Sequence, residues 1–347
     1  MRVLSATDSV SLAIQRTRDF LFRPFTWGTY LKLGLVALVT EGLGSSFNSS
    51  SHGGHSSGQA PTISSPFNLS PGAIAAIVAA VLLAMVLSVW VYYLVTRLRF
   101  AYFHCLVHNI KEIRPGWHIY RAQAGRFFWL NVVVGLCFLL LMVLVALPFV
   151  AGFWRLFHET PPGGQPDMWL LVTLILPLIP IIILLALAGI VADIVLRDWI
   201  LPHFALENAT AGQAWAQVWA RIKAEKRQFF VYVLLRVALP MVAMAALFMV
   251  LVIPGLIVAG AFGVVEYSLH SAFADATGGA AVAGILLQVF FGVVAFGLAL
   301  LASICLGGPL STGVREYALI FYGGRYPALG AILDPLPPAL PGVPELA

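Results

Sequence analysis

The stretch Val191–Arg236, VADIVLRDWILPHFALENATAGQAWAQVWARIKAEKRQFFVYVLLR, decides the class of this chain. An apolar run closes at Arg197, a basic segment follows, and a second apolar run opens at Phe229. Runs of this kind ask for lipid as their solvent, since about 20 consecutive apolar residues span the hydrocarbon core of a bilayer. Between them, Trp215, Val218, Trp219 and Ile222 fall on one helical side and Gln217, Arg221, Lys223 and Glu225 around the other. That is the layout of a helix lying in the membrane surface. Its tryptophans suit headgroup depth, and Arg221, Lys223, Lys226 and Arg227 add attraction to anionic lipid of at most about 1 kcal/mol each.

The same logic extends outward. The 347 residues are 60% hydrophobic and 10% charged, against roughly a quarter charged in soluble domains. Six apolar runs are long enough to cross a bilayer: about 25–43, 73–96, 127–153, 168–196, 229–252 and 281–305. The spacers between them are too short to fold as separate domains, so residues 1–327 read as one six-span, all-α integral membrane domain. Residues 328–347, with five prolines from Pro335 to Pro344, read as a Pro-rich cytoplasmic tail. Residues 44–72, rich in Ser and Gly, read as a flexible non-cytoplasmic loop. The N-terminus spreads its charges before the first run, unlike a cleaved signal peptide. Val10, Ala13, Ile14 and Leu21 give it an apolar helical face.

With a cytoplasmic N-terminus, Arg155 is the one Lys or Arg on the opposite face, while Lys32 and Arg236 lie within spans. This asymmetry predicts cytoplasmic N- and C-termini. Phe25, Phe127 and Phe229 open the first, third and fifth runs at equal spacing, and Arg197 and Arg315 close later runs as Arg97 closes the second. We read three copies of a surface helix followed by two spans, over about 8–110, 111–208 and 209–327, arranged in the same orientation around a pseudo-threefold axis or in a line.

The opening AIQRTRDFLFRPFTWGTYLKLGLVAL (13–38) and the later DWILPHFALENATAGQAWAQVWARIKAEKRQFFVYVLL (198–235) resemble a loosely defined group of bacterial six-span proteins. That group includes the membrane domain attached to some glycerophosphodiester phosphodiesterases. The resemblance implies a bacterial cytoplasmic membrane protein, and it implies no hydrolase activity, because in that group the chemistry resides in a separate soluble barrel.

Polar groups inside spans are the candidates for function. Lys32 and Arg236 occupy matching places, seven residues past Phe25 and Phe229, and Asp193 lies one turn inside Arg197. An Asp193–Arg236 pair, joined by Lys32, would make either a structural pair or an anion-attracting wall; snorkelling of both cations to the headgroups is the alternative. Glu41 and Glu266 are expected near the opposite face and His203 at the interface. His104 and His108 have the i, i+4 spacing of two metal ligands, and His52 and His55 lie in the Gly-Ser loop, but neither pair completes a site. Cys105, Cys137 and Cys305 are scattered small residues. No nucleophile, P-loop or paired-carboxylate pattern stands out. The sequence thus predicts a non-enzymatic scaffold or complex subunit without cofactor or nucleic acid, whose partners are membrane lipids and other membrane-protein subunits. A permease for a hydrophobic or amphiphilic anion, with Lys32 and Arg236 in a central cavity gated at Pro177, Pro180 and Pro240, is the alternative.

Overall fold

In a computed structural model the described residues are 3–42, 71–159, 168–274 and 277–334, and they are helical without strands. The helices are α1 (Asp8–Phe22), α2 (Trp27–Ala37), α3 (Pro71–His108), α4 (Arg114–Ile119), α5 (Arg121–Glu159), α6 (Met168–Ile194), α7 (Leu201–Leu206), α8 (Ala211–Ala224), α9 (Lys226–Ala272), α10 (Gly279–Gly323) and α11 (Pro327–Leu333). Two π-helical turns interrupt them, Leu38–Gly42 after α2 and Val195–Ile200 between α6 and α7.

Five helical stretches are long and apolar enough to cross a membrane: Ile74–His108, Arg121–Leu156, Leu171–Leu206, Lys226–Ala272 and Gly279–Gly323. Their most apolar windows have mean hydropathies of 2.6 to 3.0, and at most 6% of any window is buried inside the chain. The side chains that need an apolar solvent therefore find little of it in their own protein. What contacts the spans do make run along helix pairs. Gly152 on α5 lies against Leu174 on α6, Gly189 against Phe138, and Gly284 on α10 against Phe273 at the end of α9.

Burial concentrates at one end, where the spans close. Phe100, Tyr102, Phe103, Phe127, Phe204, Tyr232, Tyr317 and Phe321 are all at most 2% exposed. Phe127 meets Phe100 and Phe204 edge-on, and Phe229 meets Trp199 and Phe321 in the same way. Two of the three evenly spaced phenylalanines are thus core residues, whereas Phe25 is 43% exposed. Such edge-to-face pairs add about 0.5–1.5 kcal/mol beyond area burial.

The first apolar run, expected over about 25–43, is not among the five long helices of the described residues. Its described part, Trp27–Gly42, is shorter than a span and seats itself in the core. Tyr30, Leu33, Gly34 and Ala37 form the buried stripe of α2, the i, i+3, i+4, i+7 spacing of one helical face. Gly34 and Gly308 let α2 and α10 touch backbone to backbone: a Cβ placed on Gly308 would sit 2.7 Å from the Cα of Gly34. The Tyr30 hydroxyl donates to the Cys305 carbonyl at 2.7 Å. The α1 helix is docked as well, with Thr17 beside Gly313 and Arg16 paired to Glu316 at 3.1 Å. The loop expected at 44–72 lies outside the described residues except at its end, where Pro71 begins α3. Most of the Pro-rich tail lies outside them too, but its first residues form α11, closed over the core by the buried Leu329.

Candidate functional site

Where the spans close, four elements bring ionised groups together. Glu41, in the first π turn, is 9% exposed; Arg197 and Asp198, in the second, are 5% and 1% exposed; Arg315, on α10, is 2% exposed. Arg236 joins them from α9. Glu41 Oε2 accepts from Arg197 and Arg236 at 3.1 Å each, and its Oε1 lies 3.9 Å from Arg315 Nε. Asp198 Oδ2 accepts from Arg236 Nε at 2.9 Å and from the Tyr232 hydroxyl at 2.8 Å, while its Oδ1 accepts from Arg315 Nη1 at 2.9 Å. Asp193 holds the outer side of Arg197 at 3.1 Å.

The π turns explain how this is possible. Widening a helix by one residue takes carbonyls out of the regular i−4 ladder, and an unpaired buried carbonyl needs another donor. Arginines supply it here. Arg315 Nη1 donates to the Arg197 carbonyl at 2.9 Å, and Arg99 Nε to the Thr40 carbonyl at 3.2 Å. The Thr40 hydroxyl turns back to the Val36 carbonyl at 2.7 Å. Burying each ion costs several kcal/mol unless its partners are close and well aimed; the reciprocal bonds of Glu41 and Asp198 provide such partners.

Asp193 and Arg236 thus belong to one network, but they do not pair with each other: Arg197 and Glu41 stand between them. Lys32 does not join. It lies about 200° around α2 from the buried Tyr30 and Gly34 and is exposed. Glu41, expected near the opposite face, lies instead at the charged end with Arg99, Arg197 and Arg315 around it. Glu266 is exposed on the distal part of α9. Among the span-closing arginines, Arg99 rather than Arg97 turns inward. Arg97 lies over the Trp117 ring at 4.1 Å and donates to its carbonyl. Arg99, Asp198, Arg315 and Tyr232 are the residues that sequence reasoning missed. The available signal was the triplet of Arg99-Phe100, Arg197-Asp198 and Arg315-Glu316 closing three apolar runs.

The surface helix is α8, opened by a capping box in which Thr210 and Gln213 exchange hydrogen bonds. It buries Ala214 and Val218 against the core and leaves Trp215 and Trp219 51% and 47% exposed, stacked at 6.2 Å. Lys223, Lys226 and Arg227 are exposed, with Lys223 over the Trp219 ring at 5.6 Å. Arg221 turns inward instead, donating to the Arg325 carbonyl at 3.2 Å and lying over Tyr326. His203 is buried rather than interfacial, its Nε2 at 2.7 Å from the Tyr322 hydroxyl and its Nδ1 at 3.3 Å from Glu207. Burial pushes the Glu207 carboxyl up, but the Tyr326 hydroxyl, His203 and Gln217 outweigh it and hold it below the usual range. The rings of His104 and His108 lie 4.4 Å apart with their planes tilted by 50°, and Tyr120 neighbours His104. No group of three metal-ligating side chains occurs among the described residues.

Five helices long and apolar enough to span, four of them tied at one end by a buried ion network, define a multi-pass helical membrane protein. More particularly, the chain belongs to a protein family of unknown function (DUF7544), whose model matches residues 4–332. No curated protein and no solved structure matches it. Nothing in these comparisons links the chain to the glycerophosphodiester phosphodiesterase membrane domain.

Proposed function

We propose that the chain is a non-enzymatic scaffold or complex subunit of the bacterial cytoplasmic membrane, acting through lipid and partner-protein contacts. The observation that carries this reading is the contrast between its two ends. One end is closed by aromatic packing and reciprocal ion pairs, whereas at most 6% of any span's apolar window is buried within the chain. Surfaces that large and apolar mark sites of membrane or protein contact. The engagement of Arg236 by Glu41 and Asp198, with Lys32 exposed elsewhere on α2, favours this reading over a permease that holds both cations in a central cavity.

On this reading the charged end faces the cytoplasm, where the excess of Lys and Arg belongs, and both termini lie there. Arg97, Arg197 and Arg315 mark equivalent exits of a three-copy chain, and Trp27–Gly42 belongs to the entry of its first copy. Trp215, Trp219, Lys223, Lys226 and Arg227 touch lipid at the surface, and Arg221 ties their helix to the core.

Native mass spectrometry after gentle extraction from the parent membrane tests the proposal. Companion chains, or further copies of this one, should leave with the protein together with lipid. A lone folded chain that carries an amphiphilic anion across proteoliposomes would overturn it.

A further inference from the structure

One apolar cavity lies beside the second π turn, lined there by Val195, Leu196 and Ile200. A groove of about 620 Å³ opens between α5, α6 and the start of α8, walled by Leu130 and Val134, by Leu184, Ala188 and Val191, and by Trp215. That volume is within the roughly 300–1,000 Å³ of ordinary ligand sites. Its lining is almost wholly apolar, so an apolar chain suits it and water does not. The groove runs along the helices from the α8 surface toward the middle of the spans, the direction an acyl chain takes from its headgroup.

Charge lies at the surface end. Arg126 is exposed and sits four residues before Leu130, hence one turn above it on the same face of α5. Its guanidinium donates to the Asn208 side chain, just before the α8 residues that close the groove. Arg126 is thereby held over the mouth with donors to spare, since a guanidinium carries five and pairs readily with phosphate oxygens. Trp215, half in the groove and half exposed, is placed as a Trp at headgroup depth is.

We infer that this groove is a seat for an anionic phospholipid of the surrounding bilayer, one acyl chain lying between α5 and α6 and the phosphate on Arg126. The inference rests on the proposed lipid-contacting role and gives it a site and a headgroup preference. An ordered lipid there fills the gap between the third and fourth apolar runs and ties α8 to them.

The test uses the full chain in detergent, titrated with phosphatidylglycerol or phosphatidylcholine brominated along the acyl chain. Brominated phosphatidylglycerol should quench Trp fluorescence at lower concentration than brominated phosphatidylcholine, and the difference signal should vanish in Trp215→Phe. Arg126→Gln should weaken the phosphatidylglycerol response about fivefold, as expected for one cation near the surface, and leave that of phosphatidylcholine unchanged. Arg121→Gln, on another face of α5, should change neither. Ala188→Trp and Val134→Trp fill the groove from opposite walls and should each reduce the number of tightly retained lipids, with thermal unfolding confirming that at least one is folded. Equal response to both lipids in the parent chain, or undiminished retention in a folded filled-groove variant, would overturn the seat. Either result leaves the subunit role standing if companion chains still co-extract, so the two ideas fail separately.

Discussion

Asp198 shows how a single carboxylate can hold a membrane protein shut. It accepts hydrogen bonds from Arg236, Arg315 and Tyr232 at 1% exposure. Asp198→Asn keeps the shape and removes the charge, so two buried guanidinium groups lose the nearer of their carboxylates and are left to share Glu41. Breaking a buried pair from one side costs about 3–5 kcal/mol, and the thermal midpoint of the detergent-solubilised protein should fall accordingly. Lys32→Leu should leave that midpoint unchanged, because Lys32 lies on the outward side of α2; a comparable loss would place Lys32 in the network after all. Lys32 lies between two leucines and Asp198 between Arg197 and Trp199, and the sequence could not rank them. Nor could it choose between Arg97 and Arg99. Two positions apart on a helix are about 200° apart, so one faces the core and the other does not, and which is which depends on a carbonyl freed from Thr40, distant in the chain.

At the scale of elements, hydropathy marked the long helices, and it did not disclose that the short one packs on α10. The runs ending at Arg197 and Arg315 are so uniformly apolar that any reading places them in lipid. Residues 25–43 are apolar too, but the stripe of Tyr30, Leu33, Gly34 and Ala37 carried the information that they pack against protein. What a stripe does not disclose is its partner. That partner is Gly308, where two glycines allow helix axes to approach as small residues do in membrane bundles. Gly308→Ala places a methyl group against the Gly34 backbone, which cannot swing aside as a side chain would. Overpacking of this kind costs about 1–3 kcal/mol. The expected outcome is a lowered thermal midpoint together with weaker cross-linking between cysteines introduced at Leu38 and Gly307, which lie in contact; an unchanged midpoint and cross-linking yield would show that α2 does not rest on α10.

For the whole molecule, the asymmetry of positive charge and the asymmetry of packing coincide: the end rich in Lys and Arg is also the end with a core. Composition made the first asymmetry readable. The second was hidden, since burial depends on contacts between residues far apart in sequence, such as Glu41 with Arg236. Orientation follows from the first and is measurable. In sealed vesicles, a cysteine at Lys226 should react with an impermeant maleimide from the cytoplasmic side and one at Arg155 from the opposite side; labelling of both from one side would refute the topology. The coincidence also has a mechanical side. Helix α9 runs for 47 residues, about 70 Å at 1.5 Å per residue, yet the core grips it mainly between Lys226 and Arg236. From that fulcrum to its tip at Ala272 the remaining arm is roughly three to four times the length of the gripped one, and its tip meets α10 where Phe273 lies against Gly284. A tilt of an ångström among the arginines becomes several at the distal rim, and sideways pressure on that rim returns to Asp198 with the same leverage.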